Sequence, residues 1–140
     1  MPHPVVIDTN VFVSALRSGG GESRAVLRAA LTGRLIPLFG NALWNEYNDL
    51  LGRPVWTETT TDTERRQILA ALAQRGRWTT VYFGWRPNLS DEADNHLVEL
   101  AVAGGAEAII SYNLRDIGNG ELKFHDIKLL TPHQTMELIR

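Results

Sequence analysis

The strongest constraint on the fold is a series of short apolar runs that alternate with stretches of helical periodicity. The first run is Val5, Val6 and Ile7, and β-branched residues without polar alternation are typical of strands buried on both faces. The predicted strands are 5–7, 35–39, 79–83, 108–111 and 128–130. Because helices separate them, we expect an α/β fold with a parallel sheet covered on both faces. In such sheets functional groups lie beyond the carboxyl ends of the strands.

Helical patterns fill the segments between these strands. The predicted helices are 11–16, 22–32, 41–51, 61–74, 91–103 and 132–139. In the third helix, Leu43, Tyr47 and Leu50 lie on one apolar stripe, and Asn41 is predicted as the N-cap. A chain of 140 residues with 44% apolar content fits one domain, residues 1–140.

Composition excludes several classes of function. Cysteine is absent, which excludes a disulfide framework, a cysteine-ligated metal site and a thiol nucleophile. The net charge of −2 gives no basic excess of the kind common in nucleic-acid-binding domains. The first residues lack a signal-peptide pattern, and no apolar run approaches the roughly 20 residues that span a bilayer. We therefore expect a cytoplasmic protein without a membrane segment.

Acidic residues follow two of the predicted strands and lie on two of the predicted helices. Asp8 directly follows the first strand, where it is either a helix cap or a functional carboxylate at the sheet edge. Asp94 shares a helix face with Leu97 and Val98, and a charge on an inward face is costly unless it is compensated. Since Asp91 already provides a cap there, Asp94 is interpreted as functional.

Two further acids complete the pattern, although each alone is compatible with an ordinary surface or turn residue. Glu46 lies at the edge of its helix's apolar stripe, and Asp116 follows the strand at 108–111. Carboxylates that converge without basic partners repel one another, and a hard cation such as Mg²⁺ or Mn²⁺ relieves that repulsion. The four histidines have no zinc-ligand spacing, and His96 is interpreted as a surface or boundary residue. Neither a Walker loop nor a Gly-x-Ser-x-Gly elbow is present.

The sequence resembles the PIN-domain nucleases, most closely the VapC-like toxins of bacterial toxin–antitoxin systems. The segments that carry the resemblance are VVIDTNVFVSAL at 5–16, NALWNEYNDLL at 41–51, DNHLVELA at 94–101 and SYNLRDI at 111–117. They occur in the family's order and extend over nearly the whole chain. The chain has Asn113 where many relatives carry an aspartate, so this region has less negative charge.

The resemblance implies a three-layer α/β/α sandwich around a central parallel sheet. It implies that a site for Mg²⁺ or Mn²⁺ is formed by four catalytic and metal-binding acids, Asp8, Glu46, Asp94 and Asp116. Its implied supporting residues are Asn10, Ser111 and Asn113. The implied activity is metal-dependent hydrolysis of RNA by a toxin that has a cognate antitoxin and forms a homodimer.

Two other interpretations remain open alongside the nuclease. A non-catalytic PIN-like interaction module would keep the acids without cleaving RNA. A haloacid-dehalogenase-type phosphatase is disfavoured because that class needs a second aspartate two residues after the first, where this chain has Asn10.

The candidate phosphate contacts are four arginines: Arg17, Arg53, Arg86 and Arg115. The four tryptophans are candidate interface residues or, alternatively, core residues: Trp44, Trp56, Trp78 and Trp85. Setting aside the four acids leaves 12 of the 16 acidic residues against 14 basic ones, so bulk charge does not exclude RNA.

Overall fold

A computed structural model describes residues 2–18, 21–56, 60–81, 95–114 and 126–139 of the chain. The strands are β1 (His3–Ile7), β2 (Leu35–Phe39), β3 (Arg77–Trp78), β4 (Ala108–Ile110) and β5 (Lys128–Leu130). The helices are α1 (Thr9–Ser18), α2 (Glu22–Leu31), α3 (Asn41–Leu51), α4 (Asp62–Arg75), α5 (Asn95–Gly104) and α6 (Pro132–Ile139). Within these ranges, no helix is long and apolar enough to cross a membrane.

The strands form one parallel sheet in the order β3-β2-β1-β4-β5. The central strand β1 pairs with β2 on one side and with β4 on the other, and Ile7 stands opposite Ile110. Helices cover the sheet in a three-layer α/β/α arrangement, which confirms the predicted fold class. The strand order reverses at β1, so the carboxyl ends of β1 and β4 are where a parallel sheet opens a crevice.

The predicted N-cap of α3 is wrong. The capping position is occupied by Gly40, and no side chain caps this helix, whereas Asn41 is its exposed first residue. Close packing explains the glycine, because a β carbon at this position would lie 3.2 Å from Cδ1 of Leu100 and 3.3 Å from the carbonyl oxygen of Thr79. A larger residue at position 40 would therefore require Leu100 or the backbone at Thr79 to shift by a few tenths of an ångström.

Other element boundaries also differ from expectation. Strand β3 is Arg77–Trp78, residues 79–81 of the predicted strand 79–83 lie beyond its end, and 82–83 lie outside the described residues. The chain approaches β2 at Gly76, where a β carbon would lie only 2.5 Å from the carbonyl oxygen of Pro37. Helix α1 begins at Thr9, two residues earlier than predicted, and the predicted start of α5 at Asp91 lies outside the described part.

Core residues join helix α3 to the carboxyl end of strand β1, which lies immediately before Asp8. Tyr47 is fully buried and packs edge-to-face against Phe12, with ring centroids 5.2 Å apart. Its hydroxyl donates a 2.6 Å hydrogen bond to the carbonyl oxygen of Ile7. Since buried polar groups need partners, this bond fixes the position of α3 relative to the carboxyl end of β1.

Replacing Tyr47 with Phe is expected to destabilise the protein by about 1–2 kcal/mol, because the buried carbonyl of Ile7 loses a donor. Urea unfolding followed by circular dichroism measures the change in the free energy of unfolding. The matched control is Tyr112→Phe, since Tyr112 is 52% exposed, and it should leave stability unchanged. Equal effects of the two substitutions would contradict this assignment.

Candidate metal centre

Asp8 stands where β1 ends, and the β1–β4 pairing continues through it. Its backbone N–H donates to the carbonyl oxygen of Ile110 at 2.9 Å, and the residue is 6% exposed. Its carboxylate oxygen Oδ2 accepts a 2.7 Å hydrogen bond from the hydroxyl of Ser111 and a 3.3 Å bond from the amide of Asn10. The structure therefore brings three of the predicted site residues together at the ends of two neighbouring strands.

Short polar contacts hold the loop after β4 against the first turn of α1. The side-chain oxygen of Asn10 accepts from the backbone N–H of Tyr112 at 3.3 Å, and its amide lies 3.2 Å from the hydroxyl of Ser111. That hydroxyl also accepts a 2.9 Å bond from the backbone N–H of Asn113, whose side chain is exposed. Asn113 thus contributes its main chain to the network around Asp8.

Glu46 reaches the same region from α3. Its Oε1 accepts a 2.6 Å hydrogen bond from the hydroxyl of Thr9, the residue that follows Asp8. Its Oε2 lies 2.8 Å from Nε2 of His96 in the first turn of α5. The next residue of α3 is Tyr47. Its hydrogen bond to the carbonyl oxygen of Ile7 therefore also positions Glu46 relative to Thr9.

The two carboxylates have opposite electrostatic environments. Burial raises the pKa of Asp8, the hydrogen bond from Ser111 opposes that rise, and the charge of Glu46 adds to it. The hydrogen bond from His96 is the main cause that lowers the pKa of Glu46. Glu46 is therefore readily ionised, whereas the folded protein resists the charge on Asp8.

His96 is a residue of the site to which the sequence pattern assigned no role. Its side chain is only 20% exposed, and its Nδ1 is buried without a hydrogen-bond partner among the described residues. Because a carboxylate only accepts, Nε2 carries the proton that is donated to Glu46. The one sequence signal for this contact is that His96 lies on a helix predicted to cover the same sheet edge as Glu46.

A family model described as the PIN domain matches residues 4–115. The chain belongs to the PIN-domain family. The matched region contains Asp8, Glu46 and Asp94 and ends one residue before Asp116. PIN domains are generally nucleases and generally use divalent metals.

The fold of this PIN domain is similar to that of a chain in the crystal structure of VapBC2 from Rickettsia felis bound to a DNA fragment from their promoter. The TM-score is 0.58 at 10% sequence identity, and the match covers 91% of this chain and 98% of that chain. No curated protein matches the sequence. At this identity the similarity is one of fold.

The ligands available in this PIN domain suit a hard cation. Asp8 and Glu46 supply carboxylate oxygens, and Asn10 and Ser111 add neutral oxygens beside them, which is the donor chemistry of Mg²⁺ or Mn²⁺. Across the described residues, no group of three or more His, Cys, Asp or Glu side chains is arranged to hold a metal. Two of the four predicted acids, Asp94 and Asp116, lie outside the described residues.

The candidate phosphate contacts have different surroundings. Arg53 forms an ion pair with Asp49 on the surface of α3, and Arg17 is exposed and lines a cleft beside Thr9. The other two candidates, Arg86 and Arg115, lie outside the described residues.

The tryptophans also differ in their surroundings. Trp44 and Trp56 pack against the core, Trp78 is 50% exposed, and Trp85 lies outside the described residues.

Asp8→Asn is expected to raise the melting temperature at pH 7 in EDTA. The pKa of Asp8 is raised in the folded protein, so ionisation opposes folding as the pH rises above the ordinary value of 3.8. The gain should shrink as the pH falls to 3.8 and below, because the aspartate then becomes protonated in the unfolded chain as well as in the folded one. Thermal unfolding at pH 7 and pH 4 measures the difference.

The control for this measurement is Asp126→Asn, an exposed aspartate just before β5 and so at the opposite, amino end of the sheet. It should change the melting temperature little at either pH. A wild-type protein that is as stable as Asp8→Asn at pH 7 would show that burial does not penalise this carboxylate.

Proposed function

We propose that this PIN domain is a divalent-metal-dependent endoribonuclease that hydrolyses RNA phosphodiester bonds. The observation that carries the proposal is the meeting of Asp8 and Glu46 at the carboxyl end of β1, each held by its own polar partners. Membership of the PIN-domain family supports a nuclease, and the oxygen-rich site supports a hard metal.

The metal would be Mg²⁺ or Mn²⁺, held by Asp8 and Glu46. Asp94 stands two positions before His96, which contacts Glu46, and Asp116 three positions after Asn113, whose backbone N–H donates to Ser111, and this supports assigning both acids to the same site. When bound, the ion supplies a Lewis acid that offsets charge on the phosphate and makes water a better nucleophile.

The residues around the two acids position them for this chemistry. Ser111 and Asn10 fix the carboxylate of Asp8 in one orientation, so no reorganisation is needed during the reaction. Thr9 and His96 each hydrogen-bond to one oxygen of Glu46, which fixes its orientation, and the side chain of Glu46 stays 36% exposed. Glu46 is thereby placed to orient an incoming water, with His96 as a positioning residue behind it.

We further propose that the protein is the toxin of a toxin–antitoxin pair and acts in the cytoplasm as a homodimer. The fold similarity to a chain of VapBC2, an assembly bound to promoter DNA, supports a protein antitoxin as the partner. A non-catalytic PIN-like interaction module is the alternative outcome of the experiments below.

Cleavage of a mixed single-stranded RNA pool in Mn²⁺ or Mg²⁺ is the expected activity, and EDTA should abolish it. Asp8→Asn and Glu46→Gln should each lower the rate by more than about 100-fold, the scale lost when one electrostatic catalytic group is removed. His96→Ala should lower it by about 10- to 100-fold, as for other residues that orient a metal ligand. Gel electrophoresis of end-labelled RNA measures the rates.

Asp126→Asn serves again as the control and should cleave at the wild-type rate. Partial rescue by His96→Gln, which keeps a donor for Glu46, would separate positioning from general loss of fold. Metal-dependent cleavage that persists in both Asp8→Asn and Glu46→Gln would contradict the proposed site. Absence of both cleavage and calorimetric Mn²⁺ binding would favour the interaction module.

Expression of the wild-type protein in bacteria is expected to halt growth, because a toxin degrades cellular RNA. Asp8→Asn should be harmless at equal expression, and co-expression of the protein encoded by the adjacent gene should restore growth. Colony counts after induction measure this outcome. Equal growth arrest by wild type and Asp8→Asn would contradict toxicity through RNA cleavage.

A further inference from the structure

A cleft of about 580 Å³ lies along α1, and its lining includes Thr9 and Asn10, which contact the two carboxylates. One wall is a single helical face of Asn10, Val13, Ser14 and Arg17, spaced i, i+3, i+4 and i+7. The other wall includes Leu50 at the end of α3. The volume lies within the range of small-ligand sites in proteins.

The chemistry of the cleft changes along its length. At the inner end Thr9 and Asn10 contact the carboxylates of the proposed metal site. Between Asn10 and Arg17 on α1 lie Val13 and Ser14, and Val13, Leu50 and Val55 are the apolar residues of the lining. The outer end carries the guanidinium of Arg17.

Arg17 lies seven positions after Asn10 in α1. At 1.5 Å per residue, Arg17 stands about 10 Å along the helix axis from Asn10. Arg17 is exposed and has no carboxylate partner in the described ranges, unlike Arg53, which is paired with Asp49. A guanidinium that forms no ion pair among the described residues and lies beside an apolar wall suits a ligand that is itself anionic and partly apolar.

We infer that this cleft binds one nucleotide of the RNA substrate next to the bond that is cut. The base lies against Val13, Leu50 and Val55, and the phosphate beyond it pairs with Arg17. This assignment rests on the proposed nuclease function and specifies how the substrate is held. It also explains how an anionic chain is kept near two carboxylates, since Arg17 supplies attraction at the point where the strand leaves the site.

Fluorescence anisotropy with labelled single-stranded RNA tests the assignment directly. The parent for binding is Asp8→Asn in Mn²⁺, because it should not consume the ligand. Adding Arg17→Gln should weaken binding about 5- to 10-fold and reduce the slope of log affinity against log salt by about 0.7, the value for one phosphate contact to a single strand. The matched control is Arg28→Gln, which removes an equal charge from an exposed position outside the cleft and should change neither quantity.

A second variant and a second ligand test for the base. Val13→Trp fills the apolar part of the cleft and should weaken RNA binding about 10-fold, with a melting temperature near that of the parent. RNA with abasic sites should bind the parent about 10-fold more weakly than intact RNA, a loss of the size expected for one base contact. In the Val13→Trp variant, abasic and intact RNA should bind equally, because the base no longer enters.

The outcomes separate this inference from the proposed function. Cleavage by wild type together with unchanged RNA binding in Arg17→Gln and Val13→Trp overturns the cleft assignment and leaves the nuclease standing. Absence of both RNA binding and cleavage overturns both. If the two substitutions leave RNA binding unchanged but weaken binding of the co-expressed antitoxin, the cleft is a protein-docking site and the inference is wrong.

Discussion

Parallel pairing of β1 with β4 is the constraint on which the rest of the site depends. The register sets Ile7 opposite Ile110. The residues that directly follow the two strands, Asp8 and Ser111, therefore meet at the same edge of the sheet. Because helices cover both faces of the sheet, a slip of one residue would leave the apolar side chains buried but would move Asp8 away from Ser111. The register therefore decides whether the carboxylate of Asp8 meets the hydroxyl of Ser111.

The site combines one costly carboxylate with one that is well supported. Asp8 is buried and its pKa is raised, whereas the partner at Glu46, His96, lowers the pKa of that carboxylate. Such an arrangement sacrifices stability for a negative charge held in one place, which is common where a cation or a substrate provides the missing compensation. The hydrogen bond from Tyr47 to Ile7 stabilises this arrangement, because it joins the helix that carries Glu46 to the strand that precedes Asp8.

Helix α1 serves two surfaces. Its inner face carries Phe12 and Ala15 in the core, and its outer face carries Val13 and Arg17 in the cleft. The first turn, with Thr9 and Asn10, belongs to the acidic site. One short helix thus connects core packing, the polar network around the acids and the wall proposed to hold a nucleotide.

The sequence by itself determined the fold class and most elements, because uninterrupted apolar runs have few alternatives to buried parallel strands. It also predicted four site acids: the structure places Asp8 and Glu46 in the same region, Asp94 and Asp116 lie outside the described residues, and the role of all four stays a prediction. The exposed and capping positions were less predictable: Asn41 is a good cap by type, yet the helix is capped at Gly40, which packs closely against Leu100 and Thr79.

Only the tertiary structure decided which distant side chains meet. His96 contacts Glu46 across 50 residues of sequence, and Arg17, unlike Arg53, faces a cleft without a carboxylate partner among the described residues. Periodicity determines which face of a helix is buried, because that face is set by local geometry. It does not determine which neighbouring helix or strand that face contacts, because that depends on how the helices pack on the sheet.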